Sequence, residues 1–288
     1  MKIFFIYIFI LYFFVILILD IISFIKEKYK QRKQYKEEQK YVKYESIRLT
    51  TYSESETNLV LEKTAKIKEE ELEREKNQTN ILNRFGIYYL YHLTHKDNLE
   101  NILRYGLQSH NLAHQNNLIN VDISNRIVNT RRKRRDPIYN RTIHDYVPLY
   151  FNPKNPMLYC KRYIQSNIII LCLYNGLIFE RNTLFTDGNA ASDKTIFYNS
   201  INQLDKLNWE CIKAEYWKHF VEGTRIRCAE VLVYKKIDVD YIQMILCNNN
   251  YVMNFIQKMI KKFGYQHIIV KIDKSMYFDF YNKSKYVN

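Results

Sequence analysis

The chain has 288 residues, enough for one ordinary domain and additional segments, since most domains span roughly 100–200 residues. Its formal net charge is +14, and residues 87–288 alone hold 28 lysines and arginines against 17 aspartates and glutamates. This excess favours a polyanionic partner, although the general basicity of a Lys-rich composition accounts for it equally well. The five cysteines are odd in number, widely spaced and without a Cys-x-x-Cys pair, which argues against a disulfide framework and against a zinc site.

The chain begins with an apolar run. Residues 3–19 are all apolar or aromatic, and the run resumes after Asp20. A bilayer-spanning helix needs about 20 mostly apolar residues, so the run predicts a transmembrane anchor at residues 1–25, with residues 3–25 in the membrane. No small-residue cleavage site follows, which argues against a signal peptide. The basic flank from Lys26 to Lys36 predicts a single-pass protein of the inner (cytoplasmic) membrane with its body in the cytoplasm.

The segment after the anchor is polar. Residues 26–80 contain no glycine or proline and are rich in Lys, Glu and Gln. This composition predicts a charged linker that is helical or disordered, followed by the main domain at residues 81–288.

The first motif of the main domain is Tyr91-His92-Leu93-Thr94-His95. Strand alternation puts His92 and Thr94 on one face, where both can contact one ligand. A helix follows, capped by Asp97 and ended by Gly106. The alternative is a strand–helix unit whose histidines only satisfy hydrogen bonds in the core.

A basic cluster lies at residues 131–135. If residues 122–135 form a helix, Ile123, Ile127 and Arg131 share one face. Arg131 then points toward the domain, where an arginine can hold a pyrophosphate as a bidentate fork. The outward side chains can follow a nucleic-acid backbone; they are Arg132, Lys133, Arg134 and Arg135. A solvated basic turn remains the alternative for at least two of these four.

Glu230 opens the β-branched run Val231-Leu232-Val233, which is typical of a buried strand. A carboxylate at that position is costly unless it is paired, and the residues alone favour a salt bridge with Arg225 or Arg227. An earlier strand is predicted at residues 144–151, and its Tyr150 or Phe151 could stack on the aromatic ring of a ligand. Later strands are predicted at 229–234, 241–246 and 267–272, with a last helix at 254–263.

Familiar nucleotide and metal motifs are missing from the sequence. It contains no Gly-x-Gly-x-x-Gly and no Walker loop, which disfavours Rossmann-type binding and nucleoside triphosphate hydrolysis. The histidines between residues 92 and 144 fit no common zinc spacing. We therefore expect no metal.

Several segments, in the same order, resemble the DarT-type DNA ADP-ribosyltransferase toxins, a branch of the mono-ADP-ribosyltransferase superfamily. The matching segments cover about two-thirds of the chain and include residues 91–95, 109–113, 144–153, 156–159, 185–192, 207–210, 216–217 and 229–233. The resemblance implies an α+β fold: an ADP-ribosyltransferase-like split mixed β-sheet, mostly antiparallel, with peripheral helices. The N-terminal transmembrane helix and charged stalk would precede it.

The resemblance also implies an activity, the transfer of ADP-ribose from NAD to thymine in single-stranded DNA. Arg131 and Glu230 would be catalytic. NAD would be held by His92, Leu93, Thr94, Asn101, Arg131 and Tyr150. Single-stranded DNA would be held by Arg132, Lys133, Arg134, Arg135, Arg225 and Arg227. A macrodomain antitoxin that removes the modification is the expected partner.

Two alternatives remain open from the sequence. The same pocket could act on RNA, as in the tRNA 2′-phosphotransferases. The chain could also be a non-catalytic, membrane-tethered nucleic-acid-binding protein that has kept the fold.

Overall fold

The computed structural model describes residues 54–279, which begin with a 32-residue helix, α1 (Glu54–Phe85). This stretch lacks glycine and proline, and Gly86, with a φ of +62°, follows its last residue. The chain divides into two compact units, Met1–Glu75 and Lys76–Asn288. In the second unit, Leu82 and Phe85 of α1 are buried in the core. The linker predicted at 26–80 lies partly outside the described residues, and its boundary stays a prediction.

The sequence-based assignment to a membrane needs a correction. Within residues 54–279, no helix is both long and apolar enough to cross a bilayer. The membrane localisation is contradicted by this finding. The apolar run on which it rested, residues 1–25, lies outside the described residues.

Ten strands form the sheets of the second unit. They are β1 (Leu90–His95), β2 (Leu107–Gln108), β3 (Tyr146–Tyr150), β4 (Ile168–Leu173), β5 (Leu184–Thr186), β6 (Phe197–Tyr198), β7 (Glu230–Tyr234), β8 (Lys236–Ile237), β9 (Ile242–Cys247) and β10 (Ile269–Ile272). Eight of them make one sheet in the order β10-β9-β4-β1-β3-β7-β5-β6, while β2 and β8 pair separately. Only β9 and β10 pair in parallel among these strands.

The remaining helices surround this sheet. They are α2 (Leu99–Tyr105), α3 (His110–Gln115), α4 (Arg126–Arg131), α5 (Pro156–Cys160), α6 (Trp209–Lys213), α7 (Gly223–Ile226) and α8 (Asn250–Phe263). The longest of these, α8, buries Val252, Ile256 and Ile260 at helical spacing against the core. The predicted mixed sheet with peripheral helices is confirmed.

The sheet is split between its two central strands. β1 pairs with β4 over six residues, and β3 pairs with β7 over five. Between β1 and β3, however, the register contains only the pair Tyr91 and Tyr150. The two halves of the sheet therefore separate beyond this pair, and side chains of both strands line the resulting gap.

Candidate active site

A cavity of about 340 Å³ lies at this split. Its walls come from β1, α2, α4 and β3 and from the loop that precedes α4. Five of the residues predicted to contact NAD line it: His92, Leu93, Thr94, Asn101 and Tyr150. Arg131, the sixth, is not on the wall, whereas its neighbour Arg132 is.

The β1 wall is held by a polar network. His92 Nδ1 donates to the carbonyl oxygen of Pro148 at 2.9 Å, so this imidazole bridges the split. Burial lowers the pKa of His92, which favours the neutral ring. Thr94 Oγ1 accepts a hydrogen bond from Asn98 Nδ2 at 3.1 Å. Both β1 side chains are thus fixed by protein partners on the wall of the cavity.

Asn98 joins β1 to the loop that forms another wall. Its Oδ1 accepts from the backbone N–H groups of Asn120 and Val121, each at 2.9 Å, and its Nδ2 donates to the Val121 carbonyl at 2.8 Å. Asn101 Nδ2 donates to the Leu118 carbonyl of the same loop at 2.9 Å. The observed role of Asn101 is therefore to anchor this loop, and its contact with NAD stays a prediction. The sequence reasoning missed Asn98, although its position one turn before Asn101 was visible.

The central feature of the site is a buried ion pair between Arg132 and Glu230. Arg132 Nη1 lies 3.1 Å from Oε1 and 2.9 Å from Oε2 of the glutamate. The side chains are only 10% and 1% exposed. The Ala190 N–H also donates to Oε1, at 2.9 Å. Sequence reasoning correctly required a partner for Glu230, but the partner is neither Arg225 nor Arg227.

The predicted orientation of Arg131 is wrong. Arg131 is exposed, and Arg132 is the arginine that enters the domain. The prediction assumed one helix through residues 122–135, but α4 begins at Arg126 because Asn125 Oδ1 caps the Ile127 and Val128 N–H groups. The inward face of this short helix carries Val128, which is followed one turn later by Arg132. The inward arginine is therefore Arg132, and the catalytic and NAD-binding roles expected at this position stay predictions.

Two buried nitrogen atoms on the cavity wall have no hydrogen-bond partner within the described residues. They are Nη2 of Arg132 and Nε2 of His144. His144 packs against His110 with 4.1 Å between ring centroids. Burial and the nearby charges of His110 and Arg132 lower the pKa of His144 to about 4. Unsatisfied buried polar groups are rare in folded proteins, so these atoms mark positions suited to a ligand.

Tyr150 lies opposite Glu230 in the β3–β7 register. Burial, and then the negative charge of Glu230, raise the pKa of the Tyr150 phenol well above its usual value. The side chain is therefore neutral and presents an aromatic ring to the cavity. No group of three or more His, Cys, Asp or Glu side chains in residues 54–279 could hold a metal ion.

Comparison with known proteins identifies the family. Residues 91–278 match the model of the family described as ssDNA thymidine ADP-ribosyltransferase, DarT. The chain belongs to this family. A DNA ADP-ribosyl transferase of Thermus sp. (strain 2.9) is 34% identical over 190 residues, which cover 60% of this chain and 88% of that protein. A DNA ADP-ribosyl transferase-DNA ADP-ribosyl glycohydrolase fusion protein of Thermosipho africanus is 31% identical, covering 59% of this chain and 45% of the fusion.

Solved structures give the same assignment. Thermus sp. 2.9 DarT in complex with ADP-ribosylated ssDNA superposes with a TM-score of 0.62 at 30% identity, covering 67% of this chain and 97% of that one. The same DarT in complex with NAD⁺ gives a TM-score of 0.58 at 30% identity and covers 67% and 98%. The chain thus contains nearly the whole of this DarT fold.

Three of the arginines predicted to hold nucleic acid instead bind protein groups within the domain. Arg132 pairs with Glu230. Arg227 is 3% exposed and donates to the carbonyl oxygens of Lys154 and Ile212. Arg225 pairs with Asp187 at 2.8 Å, and its side chain is 14% exposed. These three predictions are corrected, because a guanidinium that is buried against protein acceptors cannot also follow an external backbone.

Lys133, Arg134 and Arg135 lie nearer the surface. Arg134 is half-buried and contacts Asp193, Ala190 and Ser192. Arg135 is exposed and donates to the Asn140 carbonyl at 2.6 Å. Lys133 is exposed and lines a polar recess of about 710 Å³ beside the cavity. His110, Asn129 and His144 line both the recess and the cavity. Nucleic-acid binding by Lys133 and Arg135 stays a prediction.

Proposed function

We propose that this chain is an NAD-dependent ADP-ribosyltransferase that modifies thymine in single-stranded DNA. The observation that supports this most directly is the buried Arg132–Glu230 pair, whose arginine lines a cavity at the split of a DarT-type sheet. The names of the relatives support the DNA substrate, and the Thermus sp. 2.9 DarT structures support NAD as the donor.

The cavity fits NAD as a substrate in two respects. It contains a cationic donor, Arg132 Nη2, that has no partner among residues 54–279 and suits an oxygen of the pyrophosphate or of the carboxamide. It also contains a neutral aromatic ring, Tyr150, opposite the carboxylate. When bound, NAD would supply the ADP-ribosyl group and release nicotinamide.

Glu230 is the residue that we assign to charge stabilisation. Positive charge develops on the ribose as nicotinamide leaves, and a carboxylate held in a dry site stabilises that charge strongly. Arg132 Nη1 and the Ala190 N–H fix the orientation of the carboxylate before substrate binds. We assign Arg132 to phosphate contact and to electrostatic support of the base as it loses its ring N–H proton to water and bonds to the ribose. It is not a proton acceptor, because a guanidinium remains protonated in proteins.

The acceptor strand would lie over the polar recess beside the cavity. This recess is lined by two cationic side chains, Arg126 at the start of α4 and Lys133 just beyond its C-terminus, and by one acidic side chain, Asp122. It adjoins the cavity at His110 and His144. Positive side chains along such a groove suit a phosphate backbone, whose contacts make binding dependent on salt.

A partner that removes the modification is also part of the proposal. The Thermosipho africanus relative joins a transferase to a DNA ADP-ribosyl glycohydrolase in one protein. We infer that this chain acts as a toxin and that a separate macrodomain antitoxin reverses its product. A macrodomain hydrolase that restores the unmodified strand would support this inference, and a product resistant to such enzymes would oppose it.

The decisive experiment incubates the full chain with NAD and with single-stranded DNA or RNA of matched sequence, followed by mass spectrometry of the strands. We expect one ADP-ribose on thymine-containing DNA, none on DNA that lacks thymine, and modification slower by about 10²-fold or more with Glu230→Gln. Modification of RNA alone would favour the RNA-directed alternative. NAD left unconsumed with every strand would favour a non-catalytic binding protein.

A further inference from the structure

Besides Arg132, one loop holds the Glu230 carboxylate, and we call this segment, residues 187–193, the Glu230 loop. Its Ala190 N–H donates to Glu230 Oε1 at 2.9 Å. Immediately before the loop, Thr186 Oγ1 accepts from the Glu230 N–H at 3.1 Å and donates to the Gly188 carbonyl at 2.7 Å. A shift of this loop would therefore move a hydrogen-bond donor away from the carboxylate.

Arg134 holds one side of the Glu230 loop. Its Nη2 donates to the carbonyl oxygens of Ala190 at 2.8 Å and Ser192 at 2.6 Å, and its Nη1 contacts Asp193 at 2.9 Å. The Asp193 side chain is 93% exposed, so its ion pair contributes little. The two carbonyl contacts instead fix the Ala190–Ala191 and Ser192–Asp193 peptide groups. The segment that brings Arg132 to Glu230 therefore also fixes the loop that binds Glu230.

Arg225 holds the opposite side. Its Nη1 donates to Asp187 Oδ1 at 2.8 Å, and its backbone carbonyl accepts from the Asn189 N–H at 2.9 Å. The arginine packs so closely on Gly188 that a Cβ there would lie 2.5 Å from Nη1. This close approach explains a glycine at position 188, and it leaves the loop little freedom to move on this side.

We propose that Arg134 and Arg225 are positioning residues that clamp the Glu230 loop, so that the Ala190 N–H keeps the Glu230 carboxylate in its reactive orientation. This inference rests on the proposed function for its effect on transfer, but the contacts of the clamp do not depend on the substrate. Both arginines were expected from the sequence to bind nucleic acid. If they form this clamp, substitution of either arginine should lower the rate of transfer and leave DNA affinity unchanged.

The kinetic test compares Arg134→Ala with Arg134→Lys and with Asp193→Ala, all in the full chain. Asp193→Ala is the matched control, since it removes only the exposed ion pair. We expect Arg134→Ala to reduce single-turnover transfer by about 10- to 100-fold, because a misplacement of about 1 Å can cost about 100-fold. The dissociation constants of NAD and single-stranded DNA should stay within about twofold of wild type, and so should the rate of Asp193→Ala. Arg134→Lys, which keeps the charge and one carbonyl contact, should recover part of the rate.

A phosphate-binding role for Arg134 predicts the opposite pattern. DNA affinity would fall, the salt slope would decrease by about one unit, and transfer at saturating DNA would remain normal. That result would overturn the clamp. Equal rate losses in Arg134→Ala and Asp193→Ala would also overturn the clamp.

Amide hydrogen exchange tests the clamp without any activity. In wild type, the Ala190 amide should be protected by its bond to Glu230, and Arg134→Lys or Arg134→Ala should increase its exchange rate by about tenfold or more while amides of β4 stay protected. Unchanged exchange at Ala190 in both variants would refute the clamp. A wild-type chain that transfers nothing would refute the proposed function, while the exchange result would still decide the clamp.

Discussion

The adjacent arginines of α4 and its C-terminus offer the sharpest test of the site. Arg132→Ala leaves the carboxylate of Glu230, which is 1% exposed, with the Ala190 N–H but without its counter-charge. Removing one partner of a buried ion pair costs about 3–5 kcal/mol of stability. Arg131→Ala removes an exposed side chain, and such changes stay within about 0.5 kcal/mol. The two substitutions differ by one position in sequence and by several kcal/mol in expected effect.

Activity should separate the two variants as well. Loss of one electrostatic group in a catalytic site costs about 10²–10³ in rate, which we expect for Arg132→Ala and not for Arg131→Ala. Urea unfolding followed by circular dichroism gives the stabilities, and single-turnover transfer gives the rates. The double variant Arg132→Ala, Glu230→Gln should regain part of the lost stability, because it no longer buries an unpaired charge. Equal effects of Arg131→Ala and Arg132→Ala, or strict additivity in the double variant, would refute this pairing.

Three further predictions concern Glu230, His144 and the exposed basic side chains of Lys133 and Arg135. Glu230→Gln should lower single-turnover transfer by about 10²-fold or more and leave NAD affinity, measured by calorimetry, nearly unchanged, since the lost charge acts mainly on the transition state. Burial lowers the pKa of His144 to about 4 from its ordinary value of about 6.5, so the unfolded chain binds more protons between these pH values. The free energy of unfolding should therefore fall as pH drops through this window, and His144→Asn should flatten the slope in urea titrations at a series of pH values. Lys133→Ala together with Arg135→Ala should weaken DNA binding and reduce the salt slope by about one unit per lost phosphate contact, with the rate at saturating DNA unchanged; a salt slope equal to that of wild type would contradict their role.

The sequence predicted those strands and helices whose local order of apolar and polar residues indicates which side chains are buried. The strand at 91–95 is observed as Leu90–His95, and the β-branched run after Glu230 is β7. Gly106, with a φ of +81°, ends α2 as predicted. Asp97 does not cap α2, however, because a 3₁₀ turn capped by His95 comes first. Strand alternation and helix capping are local signals. They predicted the structure correctly where no neighbouring residue formed a competing cap.

The choice among arginines could not be made from local pattern. Ile127 is 66% exposed, so the apolar stripe that was used to orient Arg131 does not exist in the folded chain. The true orientation depends on Glu230, which is 98 residues from Arg132 in sequence. Arg225 and Arg227 are likewise engaged by partners on other elements, so only the tertiary structure shows that they are not available to a nucleic acid.

The Arg132–Glu230 pair leaves one acceptor position and one donor without a hydrogen-bond partner among the described residues. Glu230 Oε1 accepts two hydrogen bonds, from Arg132 Nη1 and from the Ala190 N–H. Oε2 accepts only from Arg132 Nη1 among the described residues, so one of its lone pairs has no donor there. On the other side of the pair, Arg132 Nη2 is a buried donor without a partner within residues 54–279. An acceptor and a donor thus lie side by side in fixed geometry. The folding free energy of the chain compensates the cost of burying both charges before NAD binds.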